Sequence, residues 1–142
     1  MLVREIMTAS PATCTPDTPL RDVARMMVEC DCGAIPVVAR NDGEQPEGIV
    51  TDRDIVVRLV AEGRNPLDAT AGDAMTTSVV TVRADDDVET AAEQMKAHQL
   101  RRLVVVDGGG RITGVVAQAD LALETSDALA GDVVENVSRP GR

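Results

Sequence analysis

The sequence predicts a mixed α/β (α+β) fold built from two tandem β-α-β-β-α units, and an internal duplication is the strongest evidence for it. The segment from Met7 to Asp54 is written a second time between Met75 and Asp120. Matching residues lie 68 positions apart through the first strand and helix, and 66 apart in the closing block that begins at Gly48 or Gly114. In both copies, short apolar runs typical of strands alternate with the i, i+3, i+4, i+7 spacing of an amphipathic helix. Self-similarity at this period indicates two related supersecondary units.

The first unit opens with a short strand and an amphipathic helix. We predict the strand over Ala12 to Thr15. Thr18 followed by Pro19 favours a helix start, with the threonine hydroxyl as cap and proline at the first helical position. The apolar stripe then predicts that the helix runs from Pro19 to about Cys30.

Two strands and a second helix complete the first unit. Apolar runs at Ala34 to Ala39 and Gly48 to Thr51, joined by a polar, turn-rich connection, predict two strands. A helix is expected from Asp52 to about Glu62, ended by Gly63 and Pro66.

A linker from Gly63 to Ala71 leads into the second unit, with a helical turn from Ala71 to Met75. Asp86 and Glu89 are placed to form a capping box for the first helix of this unit. The predicted elements are a strand at Val79 to Arg83, a helix from Asp87 to His98, strands at Arg102 to Val106 and Ile112 to Ala117, and a helix beginning near Gln118.

These elements divide the chain into a first motif over residues 1–66, a second over 67–125, and a C-terminal extension over 126–142. The extension is expected to add a short helix through Gly131 to Val137, followed by a frayed tail.

Length and composition favour one globular body with an aliphatic core. Two units of roughly 65 residues would each be marginal alone but could share a core, so we expect a single two-lobed body. Hydrophobic residues make up 44% and charged residues 27% of the chain, which is ordinary for a globular protein. Because Phe, Tyr and Trp are absent, aliphatic side chains must fill the core and hold any flat ligand.

The acidic balance argues against nucleic acid as a partner. Fourteen basic and 24 acidic residues give a formal net charge of −10, which repels a polyanion at long range. The N-terminus has no continuous apolar stretch after its basic residue, and no run is long enough to span a bilayer. We therefore expect a cytoplasmic protein that binds neither nucleic acid nor a membrane.

The three cysteines are predicted to be free thiols. Cys14, Cys30 and Cys32 are too few and too unevenly spaced for a secreted disulfide framework, and neighbours spaced like the last two rarely form an unstrained bridge. His98 takes the place of Cys30 in the second copy, but a shared metal site would need two further ligands that are not evident. We therefore predict no metal site.

The landmarks of both repeats resemble those of the cystathionine β-synthase (CBS) domain pair. Each repeat opens with Met-Thr, as Met7-Thr8 and Met75-Thr76. The first repeat carries an Ile-Pro-Val-Val strand from Ile35 and closes with Gly-Ile-Val-Thr-Asp-Arg-Asp, from Gly48 to Asp54. The resemblance covers nearly the whole chain, which is similar to small stand-alone bacterial CBS pairs without a fused enzyme.

The resemblance implies a pseudo-two-fold Bateman module with clefts between its two units. Such clefts often bind adenosine-containing ligands such as AMP, ADP, ATP or S-adenosylmethionine, and no cofactor is required. Two modules commonly associate, so a homodimer is expected, in either a parallel or an antiparallel arrangement. The implied role is a sensor that regulates another protein, whose identity the sequence does not give.

In this family the Gly-x-x-Thr/Ser-x-x-Asp element marks the ligand cleft, and here it falls on Gly48, Thr51 and Asp54. The resemblance implies that the aspartate accepts hydrogen bonds from ribose hydroxyls and that the threonine helps to place phosphate. An alternative is that Thr51 and Asp54 only form a capping box, without any ligand. In the second copy Asp120 keeps the ribose position, but Ala117 replaces the hydroxyl residue, so the second cleft lacks the hydroxyl that would place phosphate.

The resemblance also implies cations for phosphate and strands that line a base pocket. Arg53, Arg101 and Arg102 are the available cations; the alternative for them is a solvated strand edge. The base-pocket positions are Thr13, Ile35 and Pro36 in the first copy and Thr81, Leu103 and Val104 in the second, all of which could instead be plain core.

Three functions follow in order of preference: a regulatory adenosyl-ligand sensor, a structural or interaction dimer that regulates a partner with empty clefts, and an enzyme. The enzyme ranks last because His98 is the only histidine and no Ser-His-Asp or Cys-His constellation can be argued. We therefore predict that the chain is not an enzyme.

Overall fold

The computed structural model describes residues 1–39 and 45–124, which form the predicted mixed α/β fold in two compact units. The expected C-terminal helix and most of the polar connection after Ala39 lie outside the described residues. In this part of the chain, no helix has the length and apolar character needed to cross a membrane. The helices are α1 Leu20–Cys30, α2 Asp52–Ile55, α3 Ala71–Ala74, α4 Val88–His98 and α5 Gln118–Glu124, and the strands are β1 Thr8–Ala9, β2 Ala34–Val38, β3 Pro46–Thr51, β4 Thr81–Arg83, β5 Arg102–Val106 and β6 Ile112–Ala117.

The two compact units do not follow the two sequence repeats. Among the described residues, the first unit is Pro11–Val79, and the second consists of Met1–Ser10 together with residues 80–124. These units are offset from the sequence motifs predicted over residues 1–66 and 67–125, because each repeat's opening segment folds with the body of the other repeat.

The second unit contains a four-stranded sheet in the order β1-β6-β5-β4. Strand β4 is parallel to β5, with Thr81 opposite Val104, while β5 and β6 are antiparallel. At the far edge β1 pairs with β6, so that Thr8 of the first repeat lies opposite Val115 of the second. The Met-Thr landmark therefore marks an edge strand.

The first unit repeats this arrangement around the antiparallel pair β2-β3. Cys14 pairs with Val37 in parallel, which corresponds to β4 beside β5. Thr76 pairs with Ile49 in antiparallel fashion, which corresponds to β1 beside β6. The predicted strand at Ala12 to Thr15 is thus reduced to pairing at Cys14.

Close approach of the Met-Thr segments explains two of the glycines. A Cβ added at Gly48 would lie 2.8 Å from the carbonyl oxygen of Thr76 and 2.9 Å from Sδ of Met75. At Gly114 it would meet the carbonyl oxygen of Thr8 at 2.9 Å. Glycine opens the Gly-x-x-Thr-x-x-Asp element because the neighbouring backbone leaves no room for a side chain.

Each unit has an aliphatic core. It includes residues that come just before a Met-Thr pair, Met75-Thr76 for the first unit and Met7-Thr8 for the second. The first core is Cys14, Leu20, Val23, Ile35, Val37, Val50, Leu59, Ala69, Ala71 and Ala74. The second is Val3, Ile6, Val82, Val88, Ala91, Ala92, Met95, Leu103, Val105, Val116 and Leu121.

The caps predicted for α1 and α4 do not form. The hydroxyl of Thr18 accepts from the backbone N–H of Thr15 at 3.0 Å, and the carboxylate of Asp86 accepts from the N–H of Arg83 at 2.8 Å. The first N–H of α1 instead donates to the carbonyl of Ala69, and that of α4 to the carbonyl of Met1. Backbone acceptors from a distant segment therefore replace the side-chain caps that local sequence suggested.

The second helix of the first unit changes its winding. It is α-helical over Asp52–Ile55 and π-helical over Val56–Val60. Leu59 is fully buried, whereas Val56, Val57 and Val60 are 57%, 45% and 54% exposed. The chain then turns at Gly63, whose φ of +78° suits glycine.

The prediction of three free thiols is wrong for two of them. Cys30 and Cys32 form a disulfide across Cα atoms 5.3 Å apart. Asp31, between them, adopts the left-handed conformation at the end of α1, which brings the flanking residues within bridging distance. Cys14 is a free, buried thiol.

Candidate functional site

The first candidate site lies at the start of α2, where Thr51 and Asp54 form a reciprocal capping box. The Thr51 hydroxyl accepts from the backbone N–H of Asp54 at 3.1 Å, and Asp54 Oδ2 accepts from the N–H of Thr51 at 3.0 Å. Both side chains are half-buried. The capping alternative thus describes contacts that are present, and it fixes the orientation of the carboxylate.

The second oxygen of Asp54 faces an arginine that the sequence analysis missed. Arg58 Nε lies 3.7 Å from Asp54 Oδ1. The same guanidinium donates to the carbonyl of Met75 at 3.3 Å and to the hydroxyl of Thr76 at 3.2 Å. Arg58 therefore links the candidate site to the Met-Thr segment. Its i, i+4 spacing from Asp54 was the available signal.

Arg53 has a different position from Arg58. It is exposed on α2, and its backbone N–H donates to the carboxylate of Asp52 at 2.9 Å. Arg58 is half-exposed, so its ion pair with Asp54 adds little stability but leaves the cation near the carboxylate.

The second candidate site lies at the start of α5 and keeps one half of the capping box. Asp120 Oδ2 accepts from the backbone N–H of Ala117 at 2.8 Å, while Ala117 has no hydroxyl to return the bond. Gln118 stands where the first repeat has Asp52, and its side-chain oxygen is buried with no hydrogen-bond partner among the described residues. An unpaired buried acceptor costs about 1–3 kcal/mol, so this oxygen favours any donor that can reach it.

The two predicted strand arginines lie beside the second site within their own unit. The carbonyl of Arg101 accepts from the N–H of Gln118 at 2.8 Å, and Arg102 is paired in register with Ala117. Arg101 is exposed and Arg102 half-buried. In the first unit the corresponding residues are Gly33 and Ala34, so the two sites carry different chemistry.

The predicted base-pocket residues fall into three pairs, each with one residue from each repeat. Ile35 and Leu103 are 1% exposed and belong to the two cores, which fits the core alternative for their side chains. Thr13 is half-buried and Thr81 is exposed. Pro36 and Val104 are buried in their strands, and each lies next to the segment that holds one of these threonines. The N–H of Cys14, which follows Thr13, donates to the carbonyl of Pro36, and Thr81 is paired in register with Val104.

A model of the CBS domain family matches the chain twice, over residues 3–61 and 71–126. The CBS domain-containing protein YhcV of Bacillus subtilis is 35% identical over 137 residues, which cover 96% of this chain and 94% of that protein. Uncharacterized protein MK0525 of Methanopyrus kandleri is 32% identical over 96% of this chain, which spans 65% of the length of that protein.

Solved structures of similar proteins have the same fold. CBS domain protein PAE2072 of Pyrobaculum aerophilum, complexed with AMP, superposes with a TM-score of 0.81 at 28% identity and covers 95% of this chain and 99% of its own. Hypoxic response protein I, with two coordinated zinc ions, gives a TM-score of 0.76 at 32% identity over 89% of this chain and 100% of its own. Within residues 1–39 and 45–124 of the present chain, no three His, Cys, Asp or Glu residues are grouped to hold a metal ion.

Proposed function

This chain belongs to the CBS domain family, and we propose that it is a regulatory module that binds an adenosine-containing ligand at the start of α2. The ligand class is AMP, ADP, ATP or S-adenosylmethionine. The observation that carries the proposal is the Asp54 carboxylate, held in place by the Thr51 N–H and flanked by Arg58. Its similarity to an AMP-bound relative supports the same ligand class.

The geometry supports different roles for four side chains. The Asp54 carboxylate has lone pairs beyond its capping bond, and these would accept from the two ribose hydroxyls. Thr51 and the cations Arg53 and Arg58 would bind phosphate. A phosphate would compete with Asp54 for Arg58, and this exchange would free Oδ1 of the carboxylate for the ribose.

The second site would bind a ligand differently or more weakly. Asp120 is available for ribose, and Arg101 and Arg102 offer positive charge at the neighbouring strand start. The unpaired oxygen of Gln118 would accept from an amino or hydroxyl group of the ligand. For the base, we propose Thr13, Ile35 and Pro36 at the first site and Thr81, Leu103 and Val104 at the second, with Ile35 and Leu103 contributing through their backbone because their side chains lie in the cores.

A structural or interaction role is the second candidate, and the capping box favours it. Both oxygens of Asp54 already have partners, so the residue needs no ligand to be satisfied. In this alternative the module regulates a partner protein through its surface, without a nucleotide.

Titration calorimetry with AMP, ATP and S-adenosylmethionine tests the proposal. We expect at least one ligand to bind, and Asp54→Asn to raise its Kd roughly tenfold or more, because a charged hydrogen-bond acceptor is lost. Asp73→Asn is the matched control, since Asp73 caps α3 through the N–H of Thr70 at 2.9 Å in the same geometry. If the wild type binds a ligand and Asp54→Asn binds it equally well, the ligand does not bind at the start of α2. If no ligand binds at all, the interaction role is favoured.

A simpler measurement exploits the composition. Because the chain has no Phe, Tyr or Trp, its own near-ultraviolet absorbance is almost nil. A co-purified adenine compound would therefore dominate the absorbance spectrum of the purified protein, and mass spectrometry would identify it.

We propose that the module regulates without catalysing a reaction and needs no cofactor. The only histidine, His98, is exposed at the end of α4. Turnover of any bound nucleotide by the purified wild type, lost in Thr51→Ala, would contradict this.

We also propose that the chain forms a homodimer through the exposed valines of the π-helical turn, Val56, Val57 and Val60. Apolar side chains on one turn are typical of an association surface. We expect Val56→Glu with Val60→Glu to lower the mass measured by sedimentation, while Leu67→Glu, at a 68% exposed linker residue, leaves it unchanged. A wild type that sediments as a monomer at all concentrations would refute the proposal.

A further inference from the structure

The disulfide of Cys30 and Cys32 lies at the accessible end of α1. Cys30 is the last residue of the helix and is exposed, while Cys32 is half-buried and packs against the core of the first unit. Asp31, between them, has φ 53° and ψ 50°. The pair is thus open to solvent on the Cys30 side and anchored on the Cys32 side.

The second repeat shows that this turn does not need a bridge. Gln99 has φ 53° and ψ 46°, nearly the values of Asp31. The N–H of Leu100 donates to Met95 at 2.9 Å, as that of Cys32 does to Met27 at 3.0 Å. The cysteine positions are occupied there by His98 and Leu100, so the same backbone forms without sulfur.

Stability alone does not account for the pair. In the chain-entropy model, stabilisation by a disulfide grows with the length of the loop that it closes, and Cys30 and Cys32 are only two positions apart. A bridge across so short a segment of an already formed turn constrains the unfolded chain less than a bridge across a long loop does. The two sulfurs therefore call for a chemical explanation.

Cys14 provides the contrast within the same unit. It is 5% exposed, and burial raises the pKa of its thiol to about 11. A protonated and shielded thiol neither attacks disulfides nor reacts readily with alkylating agents. Thiol–disulfide exchange at the surface of this unit is thereby confined to Cys30 and Cys32.

We propose that Cys30 and Cys32 form a reversible redox site that exchanges with small thiols and disulfides. In oxidation, the Cys30 thiolate attacks a sulfur of an external disulfide and releases one thiolate, giving a mixed disulfide. The Cys32 thiolate then attacks Cys30 Sγ and releases the second thiol. The two protein thiols lose two electrons and two protons, and the external disulfide is reduced to two thiols; a dithiol reverses the sequence.

The site is close to the start of α2 through the backbone. The carbonyl of Gly33, next to Cys32, accepts from the N–H of Asp52 at 3.0 Å, and Ala34 pairs in register with Thr51. An effect of oxidation on ligand affinity would rest on the proposed function, whereas the exchange chemistry does not depend on it.

Equilibration of the native protein in a series of reduced and oxidised glutathione mixtures, followed by alkylation and mass spectrometry, tests the proposal. We expect a single two-electron transition in which the reduced protein takes two alkyl groups and the oxidised protein takes none, with peptide mapping assigning both to Cys30 and Cys32. Cys14 should be alkylated only after denaturation, and Cys14→Ser should leave the transition unchanged.

The single variants separate an internal bridge from independent thiols. Cys30→Ser and Cys32→Ser should each stop at a mixed disulfide with glutathione, because the resolving thiol is missing. Three results would each overturn the proposal. The first is two glutathione adducts on the wild type, and the second is two thiols that both stay free in oxidised glutathione. The third is a bridge that excess dithiol does not reduce in the native protein.

Discussion

At the scale of single residues, the space around Gly48 and Gly114 ties each unit to a segment from the other repeat. A methyl group at either position would collide with a methionine side chain and with a backbone carbonyl oxygen of a Met-Thr segment, and the carbonyl cannot move away as the side chain can. Both residues lie within the strand that ends at a candidate site, β3 for Gly48 and β6 for Gly114, so packing alone is enough to account for the glycine of the Gly-x-x-Thr-x-x-Asp element.

We predict that Gly48→Ala lowers the free energy of unfolding by about 1–3 kcal/mol, because overpacking forces the strand and the Met-Thr segment apart. Gly109→Ala is the control, since the nearest atom to its new Cβ is a carboxylate oxygen at 3.4 Å on an exposed loop. Urea unfolding followed by circular dichroism measures both. A Gly48→Ala variant as stable as the control would show that the contact relaxes at no cost.

The sequence identified Asp54 and Asp120 correctly as residues at helix starts, because the Gly-x-x-Thr-x-x-Asp spacing is local. It did not identify Arg58, whose partners Met75 and Thr76 lie 17 and 18 residues further along the chain. Nor did it identify the unpaired oxygen of Gln118, since local sequence says nothing about which acceptors lack donors. Contacts between distant segments were the part of the site that spacing alone could not supply.

At the scale of elements, the strands of the second unit were predicted most closely. The bounds of β5 and β6 and the start of α5 agree with the prediction, because apolar runs with turn-rich flanks are a local signal. The starts of α1 and α4 were predicted within two residues, but their capping groups were wrong, since carbonyls of Ala69 and Met1 satisfy the first N–H groups. The bridge at Cys30 and Cys32 was missed because it depends on the left-handed turn at Asp31.

The starts of α2 and α5 allow a reciprocal test, because one has the cap hydroxyl and the other lacks it. Thr51→Ala should destabilise the protein by about 1 kcal/mol, and Ala117→Thr should stabilise it by up to about 1 kcal/mol by adding an acceptor for the N–H of Asp120. Thr77→Ala, at an exposed threonine, is the control. Denaturant midpoints measure the stability of all three variants. A loss of stability in Ala117→Thr would mean that a reciprocal capping box cannot form at the start of α5.

At the scale of the whole molecule, the sequence repeats and the folded units are offset from each other. Residues 69–76 supply Ala69, Ala71 and Ala74 to the core of the first unit and pair Thr76 with Ile49. Residues 1–10 do the same for the second unit through Val3, Ile6 and β1. The duplication itself was plain from the sequence, but the exchange of opening segments was not. The two Met-Thr segments are alike, so the sequence does not show which body each of them joins.

This offset predicts how the chain can be divided. A fragment over residues 11–79 keeps its three buried alanines and its edge pairing, whereas a fragment over residues 1–66 loses both and exposes Val3 and Ile6. Both fragments are small enough to be marginal, so the difference in buried apolar area should decide between folded and unfolded. We expect fragment 11–79 to show a cooperative urea transition by circular dichroism and fragment 1–66 to show none. If fragment 1–66 instead unfolds cooperatively at the same urea concentration as fragment 11–79, or at a higher one, then residues 67–79, including the pairing of Thr76 with Ile49, do not stabilise the first unit.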